Sequence, residues 1–301
     1  MKRTDKSQAE GMLLALAAVI IWSGNFVVAR NVYKQVPPVS LNFYRWVIAT
    51  IIIFPFAIKK LRAEWPIAKK AMGYLLLTAL SGVSLFNSFV YIGAHYTTAI
   101  NLALVGTTTS PIIAIILARI FLKETIGWRK WAGIALCIVG VLILLTKGKL
   151  SSINSFGKGD AWMLAAALSF AVYNTMVKKK PTELSAPVFL FLIFIFGVIM
   201  MIPVFIWENL HAVPIVWNAT VIGSILFLGI AASVISFMIW NMAIARIGAG
   251  RTALFGNLIP VFSSIEAVFL LHEKISSFHL ISFILVATGI LIANTGQRKN
   301  V

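Results

Sequence analysis

The sequence repeats itself when it is shifted by 149 residues, and no gap is needed to align the two copies. Identical residues meet at five landmark pairs: Asn25 and Asn174, Ala94 and Ala243, Pro111 and Pro260, Glu124 and Glu273, Gly140 and Gly289. Each copy holds five apolar segments, and an odd number of crossings makes the second copy enter the membrane upside down. Such an inverted repeat lets one central site face either side of a membrane. The repeat therefore favours a transporter.

Composition excludes a water-soluble domain. The chain is 60% hydrophobic and 12% charged, whereas soluble proteins carry about 25% charged residues. The net charge of +17 would suggest a nucleic-acid partner in a soluble protein. Here the basic residues lie in short links between apolar runs, so we expect the lipid bilayer and no nucleic acid as partner.

A transmembrane helix needs about 20 predominantly apolar residues. Ten segments are predicted to meet this need: 11–29, 38–58, 73–93, 98–121, 128–146, 160–177, 186–207, 219–243, 252–271 and 279–295. The predicted fold class is an all-α integral membrane protein with ten transmembrane helices in two inverted five-helix repeats. The first repeat is predicted over residues 1–147, a linker over 148–158, and the second repeat over 159–301.

The distribution of lysine and arginine predicts the orientation. Eighteen of them lie on the side that holds both termini, five of these in a predicted loop from Lys59 to Lys70, and six lie on the other side. Basic residues are enriched on the cytoplasmic side of membrane proteins. Both termini are therefore predicted to be cytoplasmic.

Two prolines occupy equivalent positions in the middle of spans four and nine, at Pro111 and Pro260. Proline removes a backbone donor and disturbs the preceding turn. Freed backbone groups at membrane depth are tolerated where protein or a water-filled cavity satisfies them. We predict a pair of kinked helices lining a central site; a kink that serves packing alone is the alternative.

Polar and aromatic residues recur at helical spacing on spans 1, 3, 4, 6, 8 and 9, and polar side chains turn away from lipid. We expect them to line a substrate cavity; interhelical hydrogen bonds worth about 0.6 kcal/mol each are the alternative. The candidates are Trp22, Asn25, Ser84, Asn87, Tyr91, Thr108, Tyr173, Asn174, Ser236, Trp240 and Asn257.

Few charged residues lie within or beside the spans. Arg45 and Glu266 are predicted inside spans two and nine, where a lone charge costs at least about 2.5–3.5 kcal/mol. They could pair with each other, or one could meet substrate; proton coupling by Glu266 is a further alternative. Glu124 and Glu273 precede spans five and ten, where a carboxylate suits a helix N-terminus, so we expect structural caps.

Motifs for catalysis and for cofactors are missing from the sequence. It has no glycine-rich phosphate loop, and its four histidines are not grouped as metal ligands. We therefore expect no enzyme activity, no cofactor and no metal.

Small residues at Gly133, Cys137 and Gly140 in span five and at Ser282 and Gly289 in span ten allow close helix packing. These small residues could serve tight packing of the last helix of each repeat or an oligomer interface, and the sequence leaves both open.

These residues resemble the EamA-like family of drug/metabolite transporters over the whole chain. The resemblance rests on Trp22–Phe26 in span one, Arg45, the stretches Pro111–Glu124 and Pro260–Glu273, and Gly133 with Gly140. The second repeat departs from the pattern at Ala171 and Ser282. The resemblance implies an inner-membrane secondary carrier, with a cavity formed by spans 1, 3, 4, 6, 8 and 9, that exports amino acids and related metabolites.

Three functions remain open from the sequence. The first is export of amino acids by alternating access, with aromatic substrates suggested by Trp22, Tyr91, Tyr173 and Trp240. The second is import or exchange of nucleotide-like or cationic metabolites such as S-adenosylmethionine. The third is a membrane sensor or scaffold that carries nothing. Because one chain completes the predicted pathway, we expect a monomer to suffice. We expect the protein to lie in the inner membrane of a bacterium.

Overall fold

A computed structural model describes residues 2–121, 127–146, 148, 157–178 and 180–294. The first repeat contains α1 (Lys2–Val32), α2 (Pro38–Lys70), α3 (Met72–Ala79), α4 (Phe86–Gly93), α5 (Ala99–Phe121) and α6 (Trp128–Leu145). The second contains α7 (Lys158–Lys178), α8 (Ala186–His211), α9 (Ala219–Leu226), α10 (Ser236–Ile247), α11 (Ala249–Gly256), α12 (Ile259–Leu271) and α13 (Ser277–Asn294). These helices occupy the ten predicted spans and confirm the all-α membrane fold with two five-helix repeats.

Five described segments are long and apolar enough by themselves to cross a membrane. They are Ser7–Val32, Pro38–Lys70, Met72–Gly93, Ala186–His211 and Ala219–Ile247. Shorter apolar stretches lie at Trp131–Leu145, Ile259–Leu271 and Ser277–Gly289. Most of the predicted linker, 148–158, lies outside the described residues, and the division of the chain at that point stays a prediction.

Two predictions about helix ends and breaks are wrong. The stretch from Lys59 to Lys70 is not a loop, because α2 continues through it with Lys69 and Lys70 in its last turn. Lysine is a good helix former, and a cation suits a helix C-terminus. Pro260 does not kink a continuous helix either; it stands in the first turn of α12, and the chain has already left the helix at Asn257 and Leu258.

Span four keeps its helical backbone on both sides of Pro111. The hydroxyls of Thr107 and Thr108 donate to the carbonyls of Ala103 and Leu104, one turn back. The carbonyl that Pro111 leaves without a donor is that of Thr107, four residues earlier, so these two side-chain bonds do not replace the missing one. Span nine has Gly256 and Asn257 where span four has Thr107 and Thr108, and both are poor helix formers, so the two halves differ here.

The third span of each repeat contains a π-helical segment. The first is Leu80–Leu85, between α3 and α4, and the second is Phe227–Ile235, between α9 and α10. A shift of 149 residues superposes them. Wide turns of this kind are frequent at functional sites.

The two repeats interlock rather than forming separate bodies. Helix α2 packs against α8, α5 against α7, α1 against both α10 and α12, and α6 against α13. One hydrophobic cluster runs from Phe26 and Tyr91 to Met163 and Leu228, and a second joins Trp46 to Phe194. The core is therefore shared, and a site at its centre takes side chains from both repeats.

Candidate substrate site

A buried guanidinium lies at the centre of the bundle. Arg45 on α2 is 4% exposed, and its Nη1 lies 2.7 Å from Asn25 Oδ1, 2.8 Å from Asn87 Oδ1 and 2.7 Å from the Tyr91 hydroxyl. Its Nε donates to Ser233 Oγ at 2.7 Å. We call these five residues the Arg45 cluster; they come from α1, α2, α4 and the second π-helical segment.

The partners of Arg45 are neutral. Its Nη2 donates to none of the described residues, and its guanidinium carbon lies 4.9 Å from the centre of the Trp46 ring. The prediction that Arg45 could pair with Glu266 is wrong: Glu266 contacts Ser23 instead, and the ion pair found among the described residues joins Arg246 to Glu10. A buried cation with neutral partners is suited to receiving an anionic group.

Sequence reasoning missed the nearest polar neighbour of the cluster on α2, Asn42. Its Nδ2 lies within hydrogen-bond distance of the Val83 and Ser84 carbonyls and of Ser88 Oγ. Asn42 is fully buried and comes one turn before Arg45 on the same face of α2. That spacing is the signal that would have found it.

An aromatic group lies beside the cluster. The Trp22 ring centre is 5.0 Å from that of Trp240 and 5.4 Å from that of Phe237, and Trp22 Nε1 donates to the Ala232 carbonyl at 3.0 Å. The structure therefore brings together two of the four aromatic candidates. Tyr91 belongs to the Arg45 cluster.

The remaining candidates are dispersed. Tyr173 packs parallel to Phe170 and covers Gly82. Ser84 donates to the Gly197 carbonyl at 3.0 Å, and Ser236 donates to the Ala231 carbonyl of its own π-helical segment. Asn174 is half-buried and has no hydrogen bond to a described residue. For Ser84 and Ser236 the hydrogen-bonding alternative therefore describes the contacts better than a cavity lining.

Two of the cavity candidates, Thr108 and Asn257, lie together. They line a space of ≈ 10 Å³ with Thr107, Pro260 and residues of α13, which has room for about one water molecule. A larger space of ≈ 330 Å³ lies between α1, α10 and α11 at the end of the bundle that holds the N-terminus. Gln8, Met12, Ile247, Arg251 and Phe255 line it. That volume is in the range of small-molecule sites.

Carboxylates fix the ends of three helices. Glu273 accepts from the backbone N–H groups of Ala99 and Ile100 at 2.8 and 3.1 Å. Glu273 is a helix cap, as predicted, but the predicted helix is wrong. It caps α5 of the first repeat and not α13, the helix that follows it in the chain. The predicted cap Glu124 lies outside the described residues.

The other two caps are reciprocal. Glu208, at the end of α8, accepts from the N–H groups of Val39 and Ser40 at the start of α2. Glu64, near the end of α2, accepts from the N–H and the hydroxyl of Ser185 at the start of α8. The two antiparallel helices are thus tied at both ends.

The small residues of spans five and ten meet each other. Cys137 Sγ lies 3.5 Å from the Val286 carbonyl, a residue 149 positions away. A Cβ built on Gly289 would lie 2.6 Å from the Gly133 carbonyl oxygen, and one on Gly140 would lie 3.0 Å from the Ser282 carbonyl oxygen. Contact between α6 and α13 therefore accounts for this pattern of small residues.

Two interlocked inverted repeats around a buried polar centre define a multi-pass α-helical membrane protein with the architecture of a transporter. The chain belongs to the EamA-like transporter family, whose model matches residues 9–146 and 157–295.

Relatives that match most of the chain are transporters. An uncharacterized transporter of Archaeoglobus fulgidus is 28% identical, covering 96% of this chain and 98% of its own. The uncharacterized transporter YyaM of Bacillus subtilis is 30% identical, covering 94% and 92%. A protein of Escherichia coli named "Probable amino-acid metabolite efflux pump" is 26% identical and covers 97% of each chain. One crystal structure matches 95% of this chain and 97% of its own at 18% identity, with a TM-score of 0.64, which supports the fold.

Proposed function

We propose that this protein is a secondary carrier that exports small metabolites, amino acids above all, by alternating access. The observation that carries the proposal is the Arg45 cluster. A buried guanidinium with neutral partners, held between elements of both repeats, provides a receptor for the carboxylate of an amino acid. Trp22 and Trp240, from opposite repeats, would contact the side chain of the substrate.

The ≈ 330 Å³ space beside Arg251 lies at the end of the bundle that holds the N-terminus. That end carries the larger share of basic residues, which assigns it to the cytoplasm by the positive-inside rule. We place the protein in a bacterial inner membrane with both termini in the cytoplasm, acting as a monomer. Two relatives named as efflux pumps, from Escherichia coli and Salmonella typhimurium, support export.

Counterflow in proteoliposomes tests the proposal. Vesicles are preloaded separately with tryptophan, phenylalanine, threonine, cysteine or S-adenosylmethionine, and labelled substrate is added outside. Accumulation with amino acids is expected. Accumulation with S-adenosylmethionine alone would instead favour an exchanger of nucleotide-like metabolites. Failure with all five, from protein that elutes as one folded species, would contradict amino-acid export and leave a sensor or scaffold.

The variant Arg45→Lys sharpens this test. Lysine keeps the charge but cannot reach the Asn25, Tyr91 and Ser233 side chains with one planar group. We expect counterflow to fall by about tenfold or more, in line with the loss of a good charge-assisted hydrogen bond. Arg62→Lys, at an exposed position on α2, is the matched control and should leave counterflow unchanged.

A further inference from the structure

Glu266 on α12 lies in the membrane-spanning bundle without a cation. Its Oε1 lies 2.6 Å from Ser23 Oγ on α1. Its Oε2 is buried and has no hydrogen-bond partner. A Cβ built on Gly24 would lie 3.7 Å from Oε2 and 2.9 Å from the Phe227 ring. The second oxygen therefore faces the bare backbone of α1 beside an aromatic ring.

The contacts of Ser23 report whether the carboxyl carries a proton. The Ser23 hydroxyl lies 2.6 Å from the Ile20 carbonyl oxygen as well as 2.6 Å from Glu266 Oε1. A hydroxyl has one hydrogen, and a carbonyl oxygen can only accept. Two separate hydrogen bonds form when Ser23 donates to Ile20 and a protonated Glu266 carboxyl donates to Ser23, whereas beside a carboxylate the single Ser23 hydrogen would be shared between both oxygens. An uncharged carboxyl also avoids the cost of burying an unpaired ion.

Among the described side chains of the helices packed against α12, none supplies a charge beside Glu266. Helix α12 packs against α1 and α5. Among the described side chains of α1, Glu10 pairs with Arg246 and Arg30 donates to the Ala94 carbonyl. The described side chains of α5 include no charged or titratable group. Arg45, on α2, is held by its neutral partners.

Glu266 contacts α1 and lies near the second π-helical segment, which are two of the four elements that hold the Arg45 cluster. Ser23 and Gly24 directly precede Asn25 on α1, and Phe227 begins the π-helical segment that carries Ser233. A carboxylate formed at this place would need water or a cation. A movement of α1 or of the π-helical segment would bring either to the buried Oε2 atom, and that movement would alter the Arg45 cluster.

We propose that Glu266 is a proton-binding site that couples transport to the proton gradient, with the carboxyl protonated in the conformation described and deprotonated when the bundle opens. The coupling step rests on the proposed carrier function, whereas the protonated carboxyl does not. The proton passes between the Glu266 carboxyl and water, and no covalent bond to substrate forms. The coupling is an exchange: the proton on Glu266 and the substrate carboxylate at Arg45 occupy the carrier in turn, so that a proton moves inward as substrate moves outward.

Infrared difference spectroscopy of the full-length protein in lipid nanodiscs tests the protonated state without any substrate. A carbonyl stretch of a protonated carboxyl is expected at neutral pH in wild-type protein, absent from Glu266→Gln and retained in Glu183→Gln. Glu183 is an exposed carboxylate in the loop before α8. Glutamine can donate an amide hydrogen to Ser23, so the fold should be kept. Ser23→Ala should move the band, because it removes the acceptor. The absence of a Glu266-dependent band at neutral pH would overturn the proposal.

Transport tests the coupling. The probe is whichever of the five metabolites gives counterflow. With an acidic vesicle interior, one pH unit should drive about tenfold accumulation at one proton per substrate. Glu266→Gln should lose this accumulation and keep counterflow within about twofold of wild type, a difference of less than about 0.5 kcal/mol. Equal accumulation by wild type and Glu266→Gln, or accumulation driven by sodium in place of protons, would overturn it. Absent counterflow in wild type would instead contradict the carrier function and leave the infrared result intact.

Discussion

The two repeats share a scaffold but differ in their chemistry. The counterparts of Asn25, Arg45 and Tyr91 in the second repeat are Asn174, Phe194 and Trp240. Asn25 accepts hydrogen bonds from Arg45 and Tyr91, whereas Phe194 packs 4.6 Å from Trp46 between ring centres. Duplication thus preserved the positions of the helices in the two repeats. It left the positive charge to one repeat and the potential proton carrier, Glu266, to the other.

The strongest test of this asymmetry is the removal of its central charge. Arg45→Met should leave the acceptors of Asn25, Asn87 and Ser233 with fewer donors in a buried site. Each unsatisfied group costs about 1–3 kcal/mol. We expect a destabilisation of several kcal/mol in unfolding measured in detergent micelles, together with lost counterflow. Arg62→Met serves as control, and equal stability of the two variants would show that the cluster does not hold the bundle together.

The seam between α6 and α13 should respond differently at its two equivalent glycines. A Cβ on Gly289 meets the Gly133 carbonyl oxygen and Cys137 Sγ at 2.6 Å. The nearest atom to a Cβ on Gly140 is a methyl carbon of Val286, at 2.9 Å, and a side chain can move more easily than backbone. Overpacking costs about 1–3 kcal/mol, and we expect Gly289→Ala to lie at the upper end and Gly140→Ala at the lower.

Thermal unfolding of the two glycine variants provides the comparison. Gly223→Ala is the control, since nothing lies within 4 Å of a Cβ at that helical position. Replacing a helical glycine with alanine there should stabilise by about 0.5–1 kcal/mol. If Gly289→Ala were as stable as Gly223→Ala, the close backbone approach at the seam would be refuted.

The two equivalent asparagines offer a direct comparison of the repeats. Asn25→Ala removes an acceptor shared by Arg45 and Tyr91, and we expect a loss of about 1–2 kcal/mol and weaker counterflow. Asn174→Ala removes a side chain without a hydrogen bond to a described residue and should cost less than about 0.5 kcal/mol. The free energies of unfolding of the two variants, measured side by side, test this difference. Equal losses of stability would show that the two repeats are chemically equivalent at this position.

The smallest expected effect concerns the reciprocal caps of α2 and α8. Glu208 uses both carboxylate oxygens, on Val39 and Ser40, whereas Glu64 uses Oε2 for both of its bonds to Ser185. Glutamine keeps one acceptor oxygen, so Glu64→Gln can keep its bonds and Glu208→Gln cannot. We expect a cost of about 1 kcal/mol for Glu208→Gln and less for Glu64→Gln. Chemical denaturation of both proteins measures the difference, and the reverse order would contradict these caps.

Much of the fold could be predicted from the sequence. A helix that crosses a lipid bilayer needs a long apolar run, and the internal repeat shows each landmark residue twice. Arg45, Asn25, Asn87 and Tyr91 could be predicted to face inward for the same reason. Their partner Ser233, 188 positions from Arg45, could not be matched to them, since helical periodicity fixes a face but not the neighbour across it.

The same limit explains the two predictions that failed locally. Glu273 precedes α13 in the chain, yet it caps α5, which lies beside it only in the packed bundle. The break at Asn257 and Leu258 comes where span nine has Gly256 and Asn257, which are poor helix formers, whereas the helix continues through the equivalent place in α5. The two prolines therefore predicted the same feature in both spans, and the residues before each proline make the two spans differ.

The contact of Cys137 with Val286 joins a residue to its own counterpart in the other repeat. A residue can meet its equivalent in this way only close to the axis of a two-fold relation, as in a homodimer interface. The α6–α13 seam is therefore a dimer interface enclosed within one polypeptide. Because both repeats belong to one polypeptide, the meeting of α6 and α13 is intramolecular and needs no encounter between separate chains. Assembly of the two halves is thereby independent of how much of the protein the membrane contains.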